Sequence, residues 1–414
     1  MLKLAIKSLA NRKTSALLTV IAIAVSVALL LAVERVKEQV QANFANTVSG
    51  TDLIVGPRSG DVQLLLASVF HIGALNNSMS WRSYEELSQN RQVKWSVPIS
   101  LGDSVSGMPV VATTVGYFQH FKYANQQSLQ LLEGDWFKRT EQAVLGADAA
   151  EKLGYAVGDQ LIIAHGTGGI SFSEHSGHPI DIVGILKRTG TPVDQSVYVD
   201  LETLEGIHGG ESEHEAHDEH HDEHADHHHP TDAISAALVG LKSRQMALFM
   251  QRDINTAAGE PLTALMPGQT LQQLWKTLRV FEQALNGISA IVVVIGLLGM
   301  LTILLASLRE RSREMAVLRA VGAGPGTLFT LLVTEAVLLT IVATASGLTL
   351  LYILQISLSG IIQQQTGLLF ALQWPTVAEW WRMLFVVIAG FLMSLVPAWR
   401  AYRQSLADGL TVKV

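Results

Sequence analysis

The residues best equipped for chemistry lie close together. Nine of the 14 histidines fall between His208 and His229, eight of them in the run "GGESEHEAHDEHHDEHADHHHP" from Gly209, which also holds eight acids between Glu211 and Asp226. Neutral imidazole ligates zinc, copper and nickel, and carboxylates add oxygen donors. With an unperturbed pKa of about 6.5, most of these rings are unprotonated at neutral pH. His214, His217, His221, His224 and His228 step by three and four, which would line one face of a helix. His220 and His227 form a second pair one heptad apart, with His208 and His229 at the ends. The tract thus reads as a site for zinc or another divalent metal, helical when loaded. The same composition, nearly free of apolar residues, also fits a solvated loop. His165, His175 and His178 are further ligands outside the tract. The chain has no cysteine, so any metal must be held by nitrogen and oxygen.

The elements that carry this tract are very different from it. Of 414 residues 49% are hydrophobic and only 16% charged, which points to a membrane. Apolar runs long enough to cross a bilayer occur at Ser15–Val33, Ile288–Leu308, Thr327–Leu351 and Met383–Ala398. Basic residues precede the first run (Lys3, Lys7, Arg12, Lys13), lie between the second and third (Arg309, Arg311, Arg313, Arg319) and follow the fourth (Arg400, Arg403, Lys413). The positive-inside rule places these three segments and both termini in the cytoplasm. The first run is too long for a signal peptide and lacks a following A-x-A site, so it reads as an uncleaved anchor. Residues 1–11 have the spacing of a surface-lying amphipathic helix and would equally serve as an extension of the first span.

The fold class expected is therefore an α-helical membrane domain of four transmembrane helices, with a large extracytoplasmic α/β domain inserted between helices 1 and 2. Residues 1–33 hold the amphipathic helix and first span, 34–283 the extracytoplasmic domain with its His-rich loop at 208–230, and 284–414 the remaining spans. Strand-like runs in the insert are "DLIVG" from Asp52, "QLIIA" from Gln160, "IDIVGIL" from Ile180, "SVYV" from Ser196 and "ISAALVGL" from Ile234. Ser80–Asn90 and Gly146–Leu153 read as helices. Leu271, Leu274, Leu278, Phe281 and Leu285 alternate steps of three and four into the second span, the pattern of a stalk seam or of a helix packed on the insert. Trp374, Trp380 and Trp381, in the loop 352–382, read as an interfacial belt. Pro397 is expected to end or kink the fourth span.

Two stretches carry a resemblance. "LRERSREMAVLRAVGAGPGTLFTLLVTEAVLL" from Leu308 and "LVPAWRAYRQSLADGLTVKV" at the C-terminus are similar to the FtsX/MacB-type permeases of ABC transporters, the mechanotransmission class. "TDLIVGPRSGDVQLLLASVFHIG", "VLGADAAEKLGYAVGDQLIIAHG" and "DIVGILKRTGTPVDQSVYVDLETLEGIHG" resemble that family's periplasmic domain, and the histidine tract is the clearest departure.

The resemblance implies a multi-pass inner-membrane permease subunit working as a homodimer with a separate cytoplasmic ABC ATPase, on which ATP would bind. It also implies a coupling helix at 309–323 that meets the ATPase through Arg309, Arg311, Glu314, Leu318, Arg319 and Gly322. A periplasmic or lipoprotein partner and membrane lipid complete the expected partners, and no nucleic acid is among them. No G-x-x-x-x-G-K-[S/T] loop and no catalytic constellation occur, so no enzymatic activity or catalytic cofactor is expected of the chain itself. Glu335 is the one ionisable residue inside the four runs, which speaks against a conduit for a polar solute. The cargo is open: zinc or another metal, or a lipoprotein, peptide or hydrophobic compound with the tract as metal sensor. A third reading makes the chain a signalling scaffold for a cell-envelope partner.

Overall fold

The computed structural model describes residues 13–47, 50–124, 126–165, 179–209, 233–310, 324–366 and 372–410. The contacts divide the chain into two units, one of Met1–Gln39, Leu278–Gly360 and Phe370–Val414, the other of Val40–Thr277 with Ile361–Leu369.

Four long helices dominate the first unit: α1 (Lys13–Thr47), α2 (Pro267–Glu310), α3 (Pro325–Thr366) and α4 (Val377–Leu410). Each contains a window apolar and long enough to span a membrane. Their shared core holds Ile23, Val27 and Leu31 of α1, Val293, Leu297 and Met300 of α2, Ala336 and Ala343 of α3, and Met383 and Val386 of α4. Small residues bring the backbones close, as lipid-immersed helices require. A Cβ built on Gly347 of α3 would stand 2.7 Å from the Ala24 carbonyl oxygen of α1, and one on Gly390 of α4 2.5 Å from Thr340 Oγ1. The helices outrun the apolar windows read from sequence. Pro397 does not end α4, which continues through it to Leu410.

The second unit is built on one large mixed sheet. Its main strands are β1 (Leu53–Pro57), β2 (Val93–Val105), β3 (Met108–Thr113), β4 (Leu131–Gly134), β5 (Gln142–Leu145), β6 (Ile180–Leu186), β7 (Val197–Asp200), β8 (Ala236–Leu241) and β9 (Leu262–Leu265), in spatial order β9-β1-β8-β2-β3-β7-β5-β6-β4. β7 runs parallel to β3 and β6 to β5, while the other pairs along this order are antiparallel. The run "QLIIA" forms no single strand; it gives two short ladders, Gln160–Leu161 on β6 and Ala164–His165 on β2.

Both faces of the sheet are covered, which explains the nearly unbroken apolar strands. Ile54, Val97, Val111, Val144, Tyr198 and Leu238 point to one core. Their neighbours Val110, Ala112, Ala143, Leu145, Val197 and Val199 point to a second, and Leu53, Val55, Ala237 and Val239 to a third. The first core is aromatic and receives the ends of two long helices. Phe44 of α1 stacks on Phe70 at 4.2 Å and meets Trp275 of α2 edge-on at 5.6 Å.

The stalk stripe divides accordingly. Leu271 is buried in this core and Leu274 packs against it. Farther along α2, Leu278 is half-buried, while Phe281 is 66% and Leu285 50% exposed.

Candidate functional site

A ring of charge closes one end of the helix bundle. The apolar run of α1 stops at Val33, and the next turn reads Glu34, Arg35, Lys37, Glu38. Glu34, Arg35 and Lys37 each pair with a residue of another helix. Arg35 makes a bidentate pair with Glu379 of α4, Nε donating to Oε1 at 3.0 Å and Nη2 to Oε2 at 2.9 Å, with side chains only 7% and 1% exposed. Its Nη1 donates to Gln355 Oε1 of α3 at 3.0 Å, and its guanidinium lies 4.7 Å from the Tyr352 ring centre. Arg382 of α4 pairs with Glu34 at 2.9 Å, and Lys37 pairs with Glu282 of α2 at 3.2 Å. α1 is thereby tied by charge to α2 and α4 and by polar contacts to α3.

Glu379 also organises its own helix. Thr376 and Glu379 form a capping box at the start of α4: Glu379 N donates to Thr376 Oγ1 at 3.3 Å and Thr376 N to Glu379 Oε2 at 3.0 Å. One carboxylate therefore fixes the start of α4 and holds Arg35. Tyr352 OH donates to Gln373 O at 2.7 Å, fastening the segment before α4 to α3. Glu38 stands among Glu34, Glu379, Arg382 and Lys37; burial first, and the two carboxylates after it, raise its pKa. A buried bidentate pair of this kind is expensive to break one-sidedly, because the remaining charge is orphaned. The collar holds the four helices together in this arrangement.

The sequence marked other residues. His208 lies in the helix Leu201–Gly209 with its side chain outside the described residues, and His214, His217, His220, His221, His224, His227, His228 and His229 fall outside them altogether, as do His175 and His178. Among the described residues no three His, Asp or Glu side chains group to hold a metal. Arg309 closes the last turn of α2 without a described side chain, and Arg311, Glu314, Leu318, Arg319 and Gly322 lie outside the described residues. Glu335 is 1% exposed inside the bundle. Trp374, Trp380 and Trp381 are all exposed.

Sequence reasoning missed the collar because its members sit just beyond the apolar windows. The T-x-x-E box at Thr376 and the dense charges after Val33 were the available signals.

In the sheet unit, Ser196 Oγ and His71 Nδ1 lie 2.8 Å apart. Ser196 is fully buried and its hydroxyl also donates to Pro192 O at 3.2 Å, so the contact is a packing bond with no nucleophile exposed. Burial lowers the His71 pKa to about 4. Asp194 closes the same turn, accepting from Thr189 N at 2.8 Å and Gly190 N at 2.6 Å; burial raises its carboxyl to about 6 against those bonds.

Comparison with known proteins adds the family. The MacB-like periplasmic core domain matches residues 15–238, and the FtsX-like permease C-terminal domain matches 286–406. Among curated relatives, the macrolide export ATP-binding/permease protein MacB of Shewanella sp. (strain W3-18-1) is 29% identical over 139 residues, 34% of this chain and 21% of the relative. The protein of the same name from Shewanella sp. (strain ANA-3) is 30% identical over 139 residues, covering 34% and 20%. The chain thus spans about a fifth of the length of the curated relatives it matches. Among solved structures, the periplasmic region of MacB from Actinobacillus actinomycetemcomitans aligns with a TM-score of 0.35 at 12% identity, over 56% of this chain and 95% of that one. The extracellular domain of the ABC-type transporter YknZ from Gram-positive bacteria aligns with a TM-score of 0.31 at 16% identity, over 52% and 98%.

Proposed function

The chain belongs to the family with a MacB-like periplasmic core domain and an FtsX-like permease C-terminal domain, and on that premise we propose that it is the permease subunit of an ABC complex. In this reading it lies in the inner membrane with both termini in the cytoplasm. ATP is hydrolysed on a separate polypeptide, and the spans carry the resulting movement to the periplasmic-type domain. The observation that carries the reading is the collar: a charge lattice that joins all four helices at one end of the bundle, where α1 leaves the membrane. Such a lattice suits rods that shift as a set. The spans offer little to a polar solute, since Glu335 is the one ionisable residue within the four apolar runs, and it is buried.

The ATPase would be met by the segment 309–323, through Arg309, Arg311, Glu314, Leu318, Arg319 and Gly322. A second copy of the chain would cover the exposed side of α2 at Phe281 and Leu285, which supports a homodimer. A periplasmic or lipoprotein partner would engage the sheet domain. The test is reconstitution with the cognate ATPase in liposomes: the double variant Arg35→Met with Glu379→Leu, which orphans no buried charge, should leave the complex assembled but reduce its ATP hydrolysis, and unchanged hydrolysis would refute the collar's role.

For the cargo we favour zinc or another divalent metal, or a partner that carries it. The support is the sequence alone, in the three-four spacing of the tract histidines. The alternative keeps the mechanism and makes the cargo a lipoprotein, peptide or hydrophobic compound, with the tract sensing metal; a signalling scaffold is the remaining reading. Metal accumulation and tolerance in cells that depend on this chain separate them, since only a metal-handling permease loses both when residues 211–229 are deleted.

A further inference from the structure

An open polar cleft of about 610 Å³ lies in the sheet unit, where β1 ends and β8 and β9 begin. Arg58 follows the last residue of β1, while Asn76, Asn77 and Ser78 come from the loop after the helix Asp61–Phe70. Ser100 belongs to β2, and Glu260 precedes β9. The backbone around the cleft is fixed by its own bonds. Arg58 N donates to Pro261 O at 3.0 Å, and Ser235 Oγ accepts from Leu101 N at 2.9 Å.

The two charges of the cleft differ in how far they are already engaged. Glu260 accepts from Ser80 N at 3.0 Å and from Ser80 Oγ at 2.5 Å. Burial by itself would raise its pKa, but the bonds from Ser80 and Ser83 outweigh burial and hold the group ionised. Arg58 is exposed, and its guanidinium makes no ion pair or hydrogen bond among the described residues. The same is true of the side chains of Asn76, Asn77, Ser78 and Ser100. Five unengaged hydrogen-bonding side chains therefore line one cleft.

This lining limits what can fill it. Among the described residues no aromatic side chain borders the cleft, so a flat ring finds no platform to stack on. Polar side chains make up most of the lining, unlike the apolar walls of a site for a hydrophobic compound. One cation beside an ionised Glu260 suits a single negative charge better than the near-double charge of a phosphate. The planar Arg58 fork matches a carboxylate in bidentate fashion. Asn76 and Asn77 each carry both a donor and an acceptor, the complement of a peptide group.

We propose that the cleft binds a short acidic peptide segment from another molecule, with one Asp or Glu carboxylate on Arg58 and backbone amides on Asn76, Asn77 and Ser100. The proposal concerns the sheet domain alone, and its success or failure is independent of coupling to an ATPase.

The test uses the full chain in lipid nanodiscs, with a metal chelator present, and the rhodamine-labelled pentapeptide Ala-Ser-Glu-Ser-Ala-amide followed by fluorescence anisotropy. Replacing the Glu of the peptide by Gln should weaken binding about tenfold, the loss of one charged hydrogen-bonded pair. Arg58→Gln should weaken the Glu peptide by the same factor and leave the Gln peptide unchanged. Since the Arg58 side chain has no partner among the described residues, the variant should keep the fold. Arg252→Gln, at an exposed arginine outside the cleft, should change neither. Equal binding of the two peptides, no binding of either, or a Glu preference that survives Arg58→Gln overturns the proposal. Displacement by inorganic phosphate, at an ionic strength where chloride displaces nothing, overturns the peptide assignment. Binding that appears only when residues 211–229 are deleted would give the cleft to the chain's own acidic tract and also overturns it.

Discussion

Arg35 and Glu379 are separated by 344 residues and meet in a buried bidentate pair, with Nε–Oε1 at 3.0 Å and Nη2–Oε2 at 2.9 Å. The same Glu379 completes the capping box of α4. Losing the Glu379 carboxylate therefore removes an ion pair and loosens a helix start at once, whereas losing Arg35 removes the ion pair alone. Arg35→Gln or Glu379→Gln should each lower stability by about 3–5 kcal/mol, because the partner is left charged and buried. Thermal unfolding of the full chain in detergent measures this. The double variant Arg35→Met with Glu379→Leu should lose less than either single one, since no charge is orphaned.

Gly347 sets how closely α1 and α3 pack. With 2.7 Å between its ideal Cβ position and Ala24 O, Gly347→Val must push the helices apart. A loss of about 1–3 kcal/mol is expected from overpacking. Gly299→Ala on α2, where a Cβ meets nothing within 4 Å, should be neutral or slightly stabilising. Comparing the two melting curves checks the claim.

Acid should weaken the sheet domain through His71. Its folded pKa is lowered from 6.5 to about 4 by burial, so between those values the unfolded chain binds a proton that the folded chain refuses. The stability is fully present above pH 6.5 and lost progressively as pH falls toward 4, by up to about 3 kcal/mol. His71→Gln should flatten that part of the stability profile. A profile unchanged by the substitution would place the acid sensitivity elsewhere.

The histidine tract makes a separable prediction. Titrating zinc into the full chain should increase helical circular dichroism, and deletion of residues 211–229 should abolish the increase. A tract that binds zinc with no gain in helix would be a chelating tether, without the helical face that the three-four histidine steps suggest.

Local patterns were legible where the physics is local. Ile180–Leu186 and the four apolar runs could be read from composition and periodicity, because a strand covered on both faces and a span in lipid each impose an unbroken apolar string. The run "QLIIA" misled, since the apolar string is interrupted by pairing with two different strands. Of the two effects expected of Pro397, ending or kinking the fourth span, it does not end the helix; a proline removes one hydrogen bond, and a membrane helix can tolerate that loss. The collar was illegible for a different reason. Its charges follow Val33 and precede Met383, where a hydropathy reading sees only loop, and its pairings join residues hundreds of positions apart. The stripe from Leu271 to Leu285 was visible as a helix face, but periodicity does not say which leucines a domain core takes and which remain exposed.

The account stands most directly on whether this chain is driven by a separate ATPase. Gentle affinity purification of the tagged chain from native membranes, followed by mass spectrometry and an ATPase assay, measures it. The account predicts an ABC nucleotide-binding subunit in equal amount with the chain, and loss of that subunit in the variants Leu318→Asp and Arg311→Glu. Recovery of the folded chain with no nucleotide-binding subunit and no ATP hydrolysis would contradict it.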